Sequence, residues 1–240
     1  PSSAHQFGRS AKSLVETARK NIAKHLNVSA SEIYFTAGGS EANNLILWNA
    51  VANLGVKRII TSKIEHHAVL HKILALKTQY YFELEFVNID KNGKIDLNHL
   101  DELLKDGASK TLVSLMYVNN EIGNLLDINK VSKLCKENTA LFHSDTVQGI
   151  GHFNIDLQKT PIDFITASAH KFHGPKGVGF LFVKKGIVMK PMLIGGEQEK
   201  GLRAGTENIH SIAGMDKALT ISLTHLDAEQ KYIQELKSYF

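Results

Sequence analysis

Lys171 stands between two histidines in SAHKFHGPKG, Ser168 to Gly177, at the end of an apolar run, DFITAS. A lysine that only had to be solvated would need no such setting. Held beside a pocket and deprotonated by burial and its neighbours, its amine becomes a nucleophile able to form an imine with an aldehyde. Asp145 ends another apolar run, ALFHSD, 26 residues earlier. A carboxylate at the end of a buried strand is costly unless it meets a cation or donors, so it points to a positively charged partner. A third feature is TAGGS, where Gly38, Gly39 and Ser40 turn the chain into a helix. Unpaired N–H groups and the positive dipole end at such a terminus attract an anion, and glycine lets the backbone approach a phosphate closely.

These residues admit two readings. Asp145 and Lys171 could form an ion pair at a sheet edge, and a Gly-Gly turn is often only a tight connection. Alternatively, pyridoxal phosphate (PLP) answers all three groups: its protonated ring nitrogen to Asp145, its aldehyde to Lys171, its phosphate to the glycine turn. Neither the GxGxxG spacing of a dinucleotide site nor the GxxxxGK[ST] of a P-loop occurs, so a smaller phosphate ligand fits better. The EHH cluster at Glu65 to His67 is the best metal candidate, but adjacent histidines lack the i, i+4 spacing of HExxH and no cysteine pair completes a zinc site. No metal is expected. His5, His25, His99 and His225 belong to no constellation and read as surface residues.

The elements that must position these groups follow from hydrophobic periodicity. Leu14, Ala18, Ile22 and Leu26 recur every four residues and predict a helix from about Ser10 to Leu26. EIYFTAGG, KRIITS, YFELEFVNID, TLVSLMYV, ALFHSD, DFITAS and VGFLFVKK read as seven strands. Helical patterns fall between the early ones: SEANNLILWNAVANLG closed by Gly55, EHHAVLHKILALK, DLNHLDELLKDG with Asp96 as N-cap and Leu97, Leu100, Leu103 and Leu104 on one face, and DINKVSKLCKEN. Strands alternating with helices need crossover connections. The predicted fold class is therefore α/β, a mostly parallel seven-stranded sheet with helices on both faces. Ligands of such sheets sit at the carboxyl ends of the strands. The residues just after the strands are Gly38 to Ser40, Glu65 and His66, Asn119 to Glu121, Asp145 and Gln148, and Ser168, His170 and Lys171, so polar groups from five segments converge on one end.

Composition narrows the classes. At 240 residues with 43% hydrophobic and 22% charged residues, the chain is an ordinary globular domain without repeat, low-complexity tract or dividing linker. No apolar run approaches the ~20 residues of a membrane span, and PSSAHQFGRSAKS lacks the apolar centre of a signal peptide. A single cysteine, Cys135, agrees with a reducing compartment, and the expected location is cytoplasmic. The net charge of +4 comes from dispersed lysines, which gives nucleic-acid binding little support.

The segments PSSAHQFGR, TAGGSEANNL, SKIEHHAVL, VNNEIG, HSDTVQGIG, SAHKFHGPKGVG and GGEQEKGLRAGTENI together resemble, in order, the motifs of the NifS/IscS-like cysteine desulfurases. These belong to the class V aminotransferases, with the fold-type-I PLP architecture of the aspartate aminotransferase kind. The resemblance runs from residue 1 to about Ile209 and implies specific roles. Lys171 is similar to the Schiff-base lysine and Asp145 to the carboxylate that keeps the pyridine nitrogen protonated. His66 resembles the histidine that stacks on the cofactor and assists proton transfer. Gln148 would bond the ring oxygen and Asn120 would line the ring and substrate side. Gly39, Ser40, Ser168 and His170 match the phosphate cup. Thr206 resembles a residue that reaches the neighbouring subunit's phosphate, which implies a homodimer. The implied activity is conversion of L-cysteine to L-alanine, with sulfur passed as a persulfide to an acceptor or iron–sulfur scaffold protein.

One part of the pattern is missing. Cys135 recurs with Ile128 and Val131 at helical spacing and reads as a core residue, not as the family's mobile catalytic cysteine. The expectation is a PLP-binding large domain spanning residues 1–240, without the family's N-terminal segment or its C-terminal small domain, which carries the cysteine loop and a substrate-binding arginine. A selenocysteine lyase, another class V lyase or aminotransferase, or a catalytically incomplete PLP-binding dimer scaffold are the alternatives.

Overall fold

The structure, a computed structural model, describes residues 4–107 and 109–240. The opening Pro-Ser-Ser of the PSSAHQFGR segment lies outside the described residues. The chain runs α1 (Gln6–His25), β1 (Ile33–Thr36), α2 (Gly39–Ala52), β2 (Arg58–Thr61), α3 (His67–Lys77), β3 (Glu83–Phe86), α4 (Leu97–Lys105), β4 (Thr111–Ser114), α5 (Ile128–Glu137), β5 (Leu141–Asp145), β6 (Phe164–Ser168), β7 (Gly179–Val183) and α6 (Ile209–Tyr239).

The seven strands form one sheet in the order β1-β7-β6-β5-β4-β2-β3. Neighbours from β3 across to β6 are parallel, whereas β7 runs antiparallel to both β6 and β1. The reversal of β7 has a local cause. Residues 169–178 between β6 and β7 hold only a short 3-10 turn, Ala169–Phe172, and a direct return of that kind makes an antiparallel neighbour.

Successive strand residues serve opposite faces, as the two-residue period requires. Ile60, Val113, Ile165 and Phe180 join one core cluster with Ile22 of α1, Leu100 of α4, Val131 of α5 and Met215 of α6. Ile59, Leu112, Phe164 and Leu181 join a second cluster with Ile46 of α2 and Ile73 of α3. Helices therefore cover both faces, and each fully buried Ile, Leu or Phe contributes roughly 1.5 to 3 kcal/mol. Cys135 sits in the first cluster beside Ile128 and Val131, where burial pushes its thiol pKa up.

Two local expectations are corrected. Helix α1 starts at Gln6, ahead of Ser10, because His5 caps it: its Nδ1 accepts a hydrogen bond from the Gly8 amide at 3.1 Å. Leu14 is 54% exposed, and Val15 takes the core position instead. A strict four-residue step overshoots the 3.6-residue turn, so Leu14 lies about 120° around the helix from Leu26. His99 also has a structural task, accepting from the Asn88 amide at 3.0 Å. Asp96 caps α4 as predicted, with Oδ1 accepting from the amides of Asn98 and His99, and Leu100 and Leu104 are buried.

Candidate functional site

The carboxyl ends of β1, β2, β4, β5 and β6 surround a cavity of about 280 Å³. Nine residues singled out from the sequence line it: Gly39, Ser40, His66, Asn120, Asp145, Gln148, Ser168, His170 and Lys171. Asn43, Met116 and Val147 complete the wall. Thr206 is not among them; it lines a separate cavity of about 200 Å³ with Arg203, Glu199 and residues at the end of β1.

At one end of the cavity α2 begins without a side-chain cap on Gly38. Among the described residues, the amides of Gly39, Ser40 and Glu41 have no backbone or side-chain acceptor. Gly39 packs so closely that a Cβ there would fall 2.5 Å from Val147 Cγ2. Ser168 Oγ and His170 Nδ1 share a hydrogen bond of 2.9 Å beside this turn. The pKa of His170 is lowered by burial and by the charges of Lys171 and Lys176. Amides, a hydroxyl and an imidazole thus face one place, an arrangement that can bind an anion.

Asp145 lines the same cavity, 4% exposed. Its Oδ1 accepts from the Val147 amide at 3.0 Å and its Oδ2 from Asn43 Nδ2 at 2.7 Å. Burial raises its pKa, and the two hydrogen bonds and the nearby His66 offset that in part. No cation touches Asp145 among the described residues, so the Asp145–Lys171 ion pair weighed above is not formed. A buried carboxylate so placed gains from any cation brought into the cavity.

Asn43 was not legible as a site residue, and it organises the layer beneath. Besides donating to Asp145, its Oδ1 accepts from Thr166 Oγ1 at 3.0 Å and lies 3.1 Å from His143 Nε2. Since Oδ1 can only accept, His143 carries its proton on Nε2, and Nδ1 accepts from Ser114 Oγ at 2.8 Å. Burial lowers the His143 pKa to about 3, so the ring is neutral and the relay fixed. The sequence signal was the polar residue in the apolar stretch NNLILW.

Glu65 is the second residue whose setting the sequence did not reveal. It is buried, with Oε1 accepting from Ser62 Oγ at 2.9 Å and from the Met116 amide at 3.0 Å. Its Oε2 is buried with no partner among the described residues. Desolvation, with a smaller contribution from Asp145, raises its pKa to about 8. His66, next in sequence, is the exposed N-cap of α3; its Nδ1 accepts from the Ala68 amide at 3.1 Å, leaving Nε2 for the cavity. Asn120, also exposed, donates to Glu121. Lys171 is partly buried, and no hydrogen bond or ion pair holds its amine among the described residues. Its backbone carbonyl is held by His152 Nε2 at 2.8 Å.

Comparisons with known proteins bear on the family and the fold. The aminotransferase class-V family model matches residues 1–240. The cysteine desulfurase IscS of Dictyoglomus turgidum is 41% identical over 242 residues, covering 100% of this chain and 61% of that protein. The chain spans less than two thirds of the length of the curated relatives it matches. A solved NifS-like protein superposes with a TM-score of 0.95 at 38% identity, over 100% of this chain and 66% of its own. The protein SspA, solved in complex with cysteine, superposes with a TM-score of 0.87 at 32% identity, over 92% of this chain and 64% of its own.

Proposed function

This chain belongs to the aminotransferase class-V family, and from that premise we propose that it is the PLP-binding part of a cysteine desulfurase that converts L-cysteine to L-alanine and passes on the sulfur as a persulfide. The single observation that carries the cofactor reading is the three-part cavity. It joins uncapped amides at the start of α2 with a buried carboxylate that meets no cation, and an amine that meets no partner, among the described residues. Those groups match a phosphate, a protonated ring nitrogen and an aldehyde, and Gly39 packs so closely on Val147 that a Cβ there would collide with it. The cysteine reading is supported by the desulfurase relative and by the neighbour solved with cysteine.

When bound, PLP supplies an aldehyde for an amine and a protonated ring that withdraws electrons from a substrate α-carbon. Gly39, Ser40, Ser168 and His170 hold the phosphate, each charge-assisted bond being worth roughly 1.5 to 3 kcal/mol. Asp145 keeps the ring nitrogen protonated, and Asn43 holds that carboxylate in place. Lys171 supplies the amine. His66, Gln148 and Asn120 line the cavity; His66 would move a proton, while Gln148 would bind the ring oxygen and Asn120 the substrate side. Thr206, lying outside this cavity, reaches the phosphate of a second copy in a homodimer. The sulfur acceptor is an iron–sulfur scaffold protein or a related carrier, in the cytoplasm. Among the described residues no helix is long and apolar enough to cross a membrane.

The test is incubation of the full-length protein with PLP and L-cysteine. Alanine should form with an equal amount of protein-bound sulfane sulfur and without a 2-oxo acid. Alanine formation that requires an added amino donor and 2-oxo acid would make the protein a transaminase instead.

A further inference from the structure

We propose that His152 is a positioning residue for Lys171, gripping the peptide that carries the amine from a point outside the cavity. The inference rests on the PLP reading of Lys171. Its Nε2 lies 2.8 Å from the Lys171 carbonyl oxygen. A carbonyl only accepts, so Nε2 carries the proton and donates, whether the ring is neutral or charged.

The surrounding packing explains why this histidine reaches that carbonyl. Gly151, just before it, has a φ of +83°, and a Cβ there would fall 2.5 Å from Phe172 Cβ. The glycine therefore serves both a left-handed backbone and a close approach to the Ala169–Phe172 turn. That approach places the next side chain, His152, along the same turn. On its other side Gln230 of α6 donates to the His152 carbonyl at 2.6 Å, and the His173 ring stands edge-on at 6.3 Å. His152 is thus fixed from α6 and in turn fixes Lys171. Phe172 is fully buried beside it, so the turn is anchored at one residue by packing and at its neighbour by this bond.

Among the described residues no hydrogen bond or ion pair holds the Lys171 amine, which sits on a side chain with four rotatable bonds. The place of its Cα sets which positions that amine can sample. A hydrogen bond of this kind alters the placement equilibrium enough to change the capture rate about three- to tenfold. A purely structural histidine would alter melting temperature without singling out that rate.

The experiment is the rate of PLP capture on Lys171 in the full-length protein, read by borohydride trapping at timed intervals, alongside non-covalent PLP affinity and melting temperature. His152→Phe keeps a planar aromatic ring and removes the donor; His152→Gln restores a donor. The expected result is capture about three- to tenfold slower in His152→Phe and within about twofold of wild type in His152→Gln. A wild-type rate in His152→Phe, or equal slowing in both variants, overturns the inference alone. A wild-type protein that traps no PLP on Lys171 overturns it together with the PLP reading.

Discussion

Replacing Glu65 by Gln should remove a pH-dependent loss of stability that the wild-type protein carries. The buried carboxyl has its pKa raised from 4.5 to about 8, chiefly by desolvation. Between those two values the folded protein keeps a proton on Glu65 that the unfolded chain has released. Stability therefore falls as pH rises through that window and levels above about 8. Each tenfold in proton affinity is worth about 1.4 kcal/mol, so the full loss is on the order of 5 kcal/mol. Gln is a fair stand-in for the protonated acid. Its Oε1 can accept from Ser62 and Met116 as Glu65 Oε1 does, and its Nε2 occupies the site of an oxygen that already lacks a partner among the described residues. Chemical denaturation of both proteins at pH 5, 6, 7, 8 and 9 gives the difference in unfolding free energy, in which other titrations cancel. That difference should shift in favour of the variant by several kcal/mol between pH 5 and 9. Parallel curves across the range would show that Glu65 is ionised in the folded protein and that the desolvation argument fails.

Three more outcomes follow from the geometry. Asp145→Asn should retain PLP within about tenfold of wild-type affinity yet lose turnover by at least a hundredfold, measured by equilibrium binding and alanine release; a proportional loss of both would assign Asp145 to binding. Gly39→Ala, whose Cβ would meet Val147, should weaken PLP binding by at least about tenfold, and an unchanged affinity would place the phosphate elsewhere. Cys135→Ser should destabilise the fold by about 1 to 3 kcal/mol while leaving sulfane-sulfur transfer intact, since burial keeps that thiol protonated; loss of transfer would give Cys135 a chemical role.

How much of this was legible depended on whether a residue's task was periodic, terminal or tertiary. The alternation of strands with helices gave the sheet and its two covered faces, because parallel neighbours need crossovers, and Ile59 and Ile60 or Leu112 and Val113 accordingly serve opposite faces. Positions just after strands gave nine cavity residues for a topological reason: parallel strands bring their carboxyl ends together. Leu14 misled because a four-residue count drifts around a helix. The reversed β7 was hidden because direction depends on the connection and not on the strand's own pattern. Asn43 and His152 were missed, and Glu65 was named as a residue following β2, with its buried setting unread. Their tasks consist of bonds to residues 102, 51 and 19 positions away, and nothing in local spacing encodes such partners.

The most direct test of the central claim is peptide mapping after incubation with PLP and borohydride reduction. One reduced PLP group on the peptide containing Lys171, absent from Lys171→Ala with its fold retained, is the predicted result. A wild-type protein that is folded and carries no adduct at Lys171, or an adduct that persists in Lys171→Ala, would contradict it.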